Sequence, residues 1–516
     1  MTTNVVENNK RIAKNTMYMY IRMGVTMLVS LYTSRVILQN LGVSDYGIYN
    51  IVGSVIAAFA FISGPLGTAT QRFYNYELGK GNTKQVNVVF NMSLIIYIIL
   101  SLFLFIIIEI AGLWFIHNKM ELPIDRMEAA VFAFHMSVIA FIFSLIKLPF
   151  DALVVANERM SFYAWISILD VALKLLNAFS LVYLPFDKLE LYSTNLLAIT
   201  IIGLLFTALY SLRKFKYIGF GKPKQIWDKP TFNALFSFSG WSLFGSVASM
   251  TATQGLNILL NVFYGVIVNA AMGIANQVNN AISQFVSNFQ VAFRPQIVKY
   301  YAAGQIKELQ LLINRTARLS FMLLFGLMCP LWFNMQYILE IWLGAGNVPE
   351  YAAIFSILMT VYALFETLSA PMWMTVQATG NIKKYQIVIS TIIFMNIVLS
   401  YVFLKMGFKP TIVLEIKCGL DLIYLATRLL FMRSMINMSI CGFINDVLLP
   451  MGIISGVSVI VLWLISYFFD SHLTQLIFSV VVFTLLYIPM VFKIGLTKHE
   501  RKVVLTTINN RFHRQS

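Results

Sequence analysis

The sequence predicts an all-α integral membrane protein of about 14 transmembrane helices. They are expected as two parallel six-helix repeats around a central cavity, with two further helices appended at the C-terminal end. Three observations predict this. Hydrophobic residues make up 59% of the 516 and charged residues only 12%, against roughly 25% charged in soluble domains. Charge is absent over runs such as 86–108 and 447–469, each long enough to cross a bilayer. The segment around Gly42 also recurs, in degenerate form, around Gly265.

Spans are predicted at about 16–38, 46–70, 86–113, 129–149, 160–184, 191–212, 232–262, 266–292, 312–334, 351–376, 385–404, 411–432, 447–468 and 473–493. The polar start with Lys10, Arg11 and Lys14 is similar to a signal-peptide n-region. The apolar stretch after it is too long, however, and no small-residue cleavage site follows, so an uncleaved first span is expected. Arg35 ends that span, a turn at Gly42 follows, and Tyr46-Gly47 opens the second. The loop 213–229, with six Lys/Arg and one Asp, links the halves. The expected organisation is a first half at 1–212, the basic linker 213–229, a second half at 230–433, and two extra helices with a basic tail at 434–516.

Most of the 38 Lys and Arg fall on one face of this arrangement; Lys119, Arg126, Lys188, Lys405 and Lys409 fall on the other. The net charge of +16 therefore follows the positive-inside rule, with both termini cytoplasmic, and nucleic acid is not an expected partner. Cys329, Cys418 and Cys441 are far apart with no metal-type spacing, which predicts neither disulfide nor zinc site. The five histidines are scattered, with no His-Glu-x-x-His, Walker, Gly-x-Ser-x-Gly or Cys-pair motif. A transporter rather than an enzyme is expected, with no cofactor and no metal.

The repeat has an offset of 223 residues: Gly42 meets Gly265, Gly81 meets Gly304, Lys84 meets Lys307 and Asn91 meets Asn314. One residue is then lost, and Pro149 meets Pro371 and Tyr163 meets Tyr385. Corresponding spans are six apart, so the halves share an orientation. Parallel repeats of this kind suit alternating access.

The pattern Arg35-x-x-Leu38-x-x-Leu41-Gly42-x-x-Asp45-Tyr46-Gly47-x-Tyr49 resembles the hallmark of the Wzx-type polysaccharide flippases, in the MATE-like (MOP) transporter superfamily. The segment from Gly265 through Gly273 to Asn276 and Gln277 is similar to the same family's entry to its eighth span. The resemblance implies a bacterial inner-membrane flippase. Such a protein moves an undecaprenyl-pyrophosphate-linked oligosaccharide to the outer leaflet, for O-antigen, lipopolysaccharide or other surface polysaccharide biosynthesis. It also implies membrane lipids, H⁺ or Na⁺, and a polysaccharide polymerase or ligase as partners. A MATE-like cation-coupled multidrug antiporter is the main alternative, and a membrane glycan polymerase or ligase a further one.

For such a substrate the intramembrane charges matter most, since each is costly to insert. Asp170 and Lys174 lie four apart on one face of span 5; they read either as a cavity lysine with a coupling carboxylate or as a structural ion pair. Arg22 and Arg35 share span 1, and Arg72 and Arg294 end spans 2 and 8. With Lys174 these four are the candidate pyrophosphate ligands, Arg being suited to bidentate phosphate contacts, or else interfacial anchors. Glu366 has no opposite charge within four residues and is expected, with Asp170, to carry ion coupling unless a neighbouring span pairs it. Lys417 and Asp421 read as a structural pair. Asn276, Asn280 and Gln284 share a helical face, and span 7 adds Asn257; these are candidate sugar contacts, or bridges between helices, because lipid offers amides no partner.

Overall fold

The structure, a computed structural model, describes residues 2–119, 124–221, 227–344, 346, 348–466, 472–498, 500–502 and 505, without the side chains of 2–13, 31, 34, 35, 38, 42–44, 46, 50, 51, 54, 57, 58 and 266. Gly42, where a turn is expected, is assigned to the helix α1 with its neighbours, and the side chain of Arg35 lies outside the described residues. The helices are α1 (Thr2–Ala60), α2 (Ser63–Gly79), α3 (Thr83–Lys119), α4 (Met127–Ala156), α5 (Met160–Tyr183), α6 (Lys188–Lys214), α7 (Lys229–Ala302) and α8 (Ile306–Trp332). They continue as α9 (Met335–Leu343), α10 (Ala352–Thr379), α11 (Lys383–Lys405), α12 (Ile412–Ile436), α13 (Ile440–Ser466) and α14 (His472–Gly495). Among the described residues, nine helices are long and apolar enough to cross a membrane, and the all-helical membrane fold is the one expected. By packing the chain forms two units, Met1–Val247 with Val291–Gly304 and Gly380–Gln386, and Ala248–Gln290 with Gln305–Thr379 and Ile387–Ser516.

In the first unit α1, at 59 residues, would rise about 90 Å as one rod, far beyond a bilayer core of ~30 Å. Its two parts instead run in opposite directions. Met19 packs beside Val155 and Met160, and Val36, Ile37 and Leu41 beside Ala178 and Leu181, so the first part follows α5. Ile48 and Val52 pack beside Ile108 and Ile116, whereas Tyr74, further on, packs with Val86 and Phe90. The second part, continued by α2, thus runs back along α3.

The break between α1 and α2 interrupts the predicted second span. Pro65 has no N–H for the helical bond to Phe61 and its ring crowds that carbonyl, so the chain turns at Phe61 and Ile62 before α2 resumes. Tyr97 fixes α2 beyond the break, donating to the Leu66 carbonyl at 2.5 Å and meeting the Thr70 hydroxyl at 2.6 Å. At the far end of the unit Arg126 ties three connections together. It reaches Asp45 at 2.7 Å and Asp187 at 2.5 Å. The Asp187 carboxylate in turn caps α6, accepting from the backbone N–H of Leu189 and Glu190. Arg126 holds the Asp187 carboxyl below the ordinary carboxylate range.

In the second unit α7 is broken at Gly265, whose φ of 77° and ψ of −167° suit only glycine. Leu256 and Leu260 before the break, and Val268, Ala271, Met272 and Ala275 after it, pack on Phe355 and Met359 of α10. The two appended helices lie on α8: Tyr487 donates to the Met322 carbonyl at 2.6 Å, and past α14 Glu500 pairs with Arg318 at 2.6 Å. The repeat also shows in backbone conformation. Gly81 and Gly304 have φ of 72° and 71°, and Glu158 and its counterpart Gly380 have 58° and 78°.

Candidate functional site

A cluster of charged side chains lies between α10 and α12 of the second unit. On α12, Lys417, Asp421, Tyr424 and Arg428 follow at spacings of four, three and four; at 100° per residue Lys417 and Arg428 are within about 20° of one face. On α10, Tyr362, Glu366 and Ser369 share a face in the same way. The two faces meet across a cavity of about 160 Å³, which Ser249 and Thr253 of α7 and Asn396 of α11 also line.

Within it Arg428 reaches Glu366 at 3.2 Å and donates to the Ser369 hydroxyl. The Lys417 ammonium stands 4.1 Å from the centre of the Tyr362 ring and 3.8 Å from the Met359 sulfur. Asp421 is buried, and neither of its carboxylate oxygens has a hydrogen-bond partner among the described residues. Each charge in such a place costs about 2.5–3.5 kcal/mol to insert. The pairing across helices offsets that for Arg428 and Glu366, and the aromatic face does so for Lys417.

Of the readings open for Glu366, the structure shows pairing by a neighbouring span, through Arg428. Lys417 and Asp421 do not close the i,i+4 pair read from their spacing, because Lys417 turns to the α10 face. Arg428 was absent from the sequence-based candidates, although its register with Lys417 and Asp421 was available to find it.

The other candidates fall in separate places. Asp170 and Lys174 pair with each other on α5 at 2.8 Å, both about two-fifths exposed. The Arg22 guanidinium lies over the Tyr163 ring at 5.2 Å. Arg72 is buried among Phe73, Tyr76 and Phe238 and lies against Gly380. Arg294 sits half-buried on the part of α7 that packs in the first unit. One turn on, Lys299 and Gln296 hold the buried Glu158 carboxylate at 2.6 and 2.8 Å. Asn280 and Gln284 are exposed and turned away from the seam of Val268, Ala271, Met272 and Ala275, while Asn276 is half-buried at about a quarter-turn from it. Asn257 is half-buried and bonds Gln254 at 3.4 Å.

These elements define a polytopic helical membrane protein with a polar, charge-bearing interior. The MatE family model matches residues 246–402, the stretch that supplies the α7, α10 and α11 sides of the charged cavity. No curated protein matches the chain. Solved structures give the fold. A MATE transporter in complex with MaL6 superposes with a TM-score of 0.69 at 14% identity, over 83% of this chain and 96% of that one. An outward-facing multidrug resistance MATE family transporter of the MOP superfamily gives 0.68 at 15% over the same shares. A MOP superfamily transporter from Pyrococcus furiosus, whose binding pocket has a reverse polarity that suggests a different function, gives 0.69 at 14% over the same shares. The chain has the fold of the MATE transporters, and its residues 246–402 match their family model.

Proposed function

We propose that the protein is a flippase of the bacterial inner membrane. In this reading it carries an undecaprenyl-pyrophosphate-linked oligosaccharide to the outer leaflet by alternating access of its two halves, with both termini cytoplasmic. The observation that carries the reading is the amide row Asn276, Asn280 and Gln284 on the part of α7 predicted as the eighth span, where Asn280 and Gln284 are exposed. Lipid cannot satisfy such a row, so it addresses water or a polar solute. Amides both donate and accept without charge, which suits sugar hydroxyls. Arg22, Arg35, Arg72, Lys174 and Arg294 are the cations available to the pyrophosphate, Asn257 extends the sugar contacts, and Asp170 and Glu366 are the carboxylates available for coupling to H⁺ or Na⁺. Membrane lipids surround the protein, and a polysaccharide polymerase or ligase is the expected downstream partner.

A multidrug antiporter for cations is the second reading, favoured by the partnerless Asp421 carboxylate. Against it, Glu366, Asp170 and Asp151 each already face a base from the chain. The test is reconstitution of the purified protein in vesicles with fluorescent undecaprenyl-pyrophosphate-oligosaccharide under an imposed proton or sodium gradient. The expected result is transfer between leaflets. Absence of transfer beside a working control flippase, with uptake of a lipophilic cation instead, would replace this reading with the second.

A further inference from the structure

A second pocket, widely open to the surface, lies in the first unit beside the Pro65 break and has a volume of about 300 Å³. Its floor is the face of α2 bearing Gly64, Gly67, Thr68 and Gln71; Asp151 of α4 and Tyr163 of α5 close the sides. Gln71 is 93% buried, since only 7% of it is exposed, and its amide nitrogen has no hydrogen-bond partner among the described residues. Asp151 likewise has one carboxylate oxygen, Oδ1, without a partner, while Oδ2 lies 3.6 Å from Lys147. A Cβ at Gly64 would meet nothing within 4 Å, and one at Gly67 would meet only Leu148 at 3.7 Å. The glycines therefore leave usable space at the pocket floor instead of permitting helix contact.

We propose that this pocket is a subsite for one pyranose ring of the transported glycan. The proposal rests on the flippase reading and extends it to the first unit. Its volume is at the low end of ligand pockets, about 300–1,000 Å³, so it holds one ring and not a chain of rings. A buried donor on Gln71 and a buried acceptor on Asp151 complement sugar hydroxyls, each of which donates and accepts. Leaving both groups unpaired is costly, and a hydroxylated ring satisfies both. The floor glycines let the ring approach the α2 backbone. An organic cation is the poorer occupant, because Asp151 already faces Lys147 and the Arg22 guanidinium lies against Tyr163. A lipid chain would leave the polar atoms unsatisfied.

The test uses the full-length protein in nanodiscs. Binding is measured for undecaprenyl pyrophosphate with and without one N-acetylglucosamine, and for tetraphenylphosphonium. Gly67→Val fills the floor, and Gln71→Ala removes the donor with little change of backbone. The expected result is an affinity loss of about five-fold for Gln71→Ala, and a larger one for Gly67→Val, confined to the sugar-bearing lipid. Retained binding of the sugar-free lipid shows that the variants fold. Equal losses for both lipids, or no loss in either variant while the unaltered protein still prefers the sugar-bearing one, overturn the subsite and leave the flippase reading standing. If the unaltered protein binds tetraphenylphosphonium and neither lipid, the flippase reading falls and the subsite with it.

Discussion

Same-helix and cross-helix charge pairs differ in what they depend on. The first unit has both kinds. Base and acid lie one turn apart on one helix as Lys147 and Asp151 on α4 or Asp170 and Lys174 on α5, while His135 of α4 meets Glu109 of α3 and Lys299 meets Glu158 across elements. In the second, Arg428 of α12 pairs with Glu366 of α10, so the pair exists only when two helices pack. A same-helix pair survives changes in packing and contributes little to it. A cross-helix pair couples charge to tertiary structure.

The largest test of that difference is Arg428→Ala. It strands Glu366 in the cavity and leaves Asp421 facing a second uncompensated carboxylate. Arg428 is buried but 40% of the Glu366 side chain is exposed, so solvent screening cuts the cost of breaking the pair to on the order of 2 kcal/mol. A drop in thermal unfolding temperature of a few degrees is expected in detergent. Combining Arg428→Met with Glu366→Gln should recover most of the loss. If the double variant is no better than Arg428→Ala, the pair is not what the arginine supports.

The next comparison is between Glu158 and Gly380, which occupy equivalent left-handed positions in the two repeats. A non-glycine residue there costs about 1–2 kcal/mol, and Glu158 is retained in a site where Lys299 and Gln296 bind its carboxylate. Gly380 has no such compensation, and an added Cβ would stand 2.4 Å from the Arg72 guanidinium. Gly380→Ala should therefore destabilise by about 2 kcal/mol. Glu158→Gly should cost less than Glu158→Ala, because glycine recovers the backbone term while both lose the ion pair. Equal melting temperatures for the two Glu158 variants would remove the strain argument.

The same asymmetry explains what the sequence makes legible. Helix positions follow from charge-free runs, and the structure places α3 to α6, α8 and α10 to α14 on the predicted spans; the short α9 (Met335–Leu343) lies between two of them, and Pro65 breaks the predicted span 2. Asp170–Lys174 was readable because i,i+4 geometry is local. Glu366–Arg428 was not, because 62 residues separate them and only the packing of α10 on α12 decides which faces meet. The face shared by Lys417, Asp421 and Arg428 was readable in principle. Reading Lys417–Asp421 as a closed pair hid it, since a neighbouring aromatic ring can outbid a same-helix carboxylate.

A smaller contrast lies in the connections at helix ends. The first unit fastens Asp45 and Asp187 with Arg126, while in the second the Tyr264 hydroxyl donates to the Phe408 carbonyl, a neutral bond. Asp187 has its carboxyl lowered from the ordinary 3.8 by Arg126. A carboxyl lowered by folding stabilises the protein above its unfolded value, and that contribution disappears as pH falls through the folded value. The melting-temperature gap between the unaltered protein and Arg126→Gln should thus be constant from pH 7 to 5 and shrink below about 4. Tyr264→Phe should cost about 1 kcal/mol with no such pH dependence. A Tyr264→Phe gap that narrowed in acid alongside that of Arg126→Gln would mean that acid acts through the bundle as a whole and not through the Asp187 carboxyl.

The smallest effect is expected at Lys174. Its pair with Asp170 is local and two-fifths exposed, so Lys174→Ala should change stability by less than about 1 kcal/mol. That makes it the variant best able to separate function from folding. If Lys174 serves only its own helix, transfer of the glycolipid proceeds at the unaltered rate. If it contacts the pyrophosphate, transfer falls at unchanged melting temperature, and Lys174→Arg restores more of it than Lys174→Gln. In that case a local ion pair in the first unit does the work that its geometry alone would assign to the cross-helix cavity of the second.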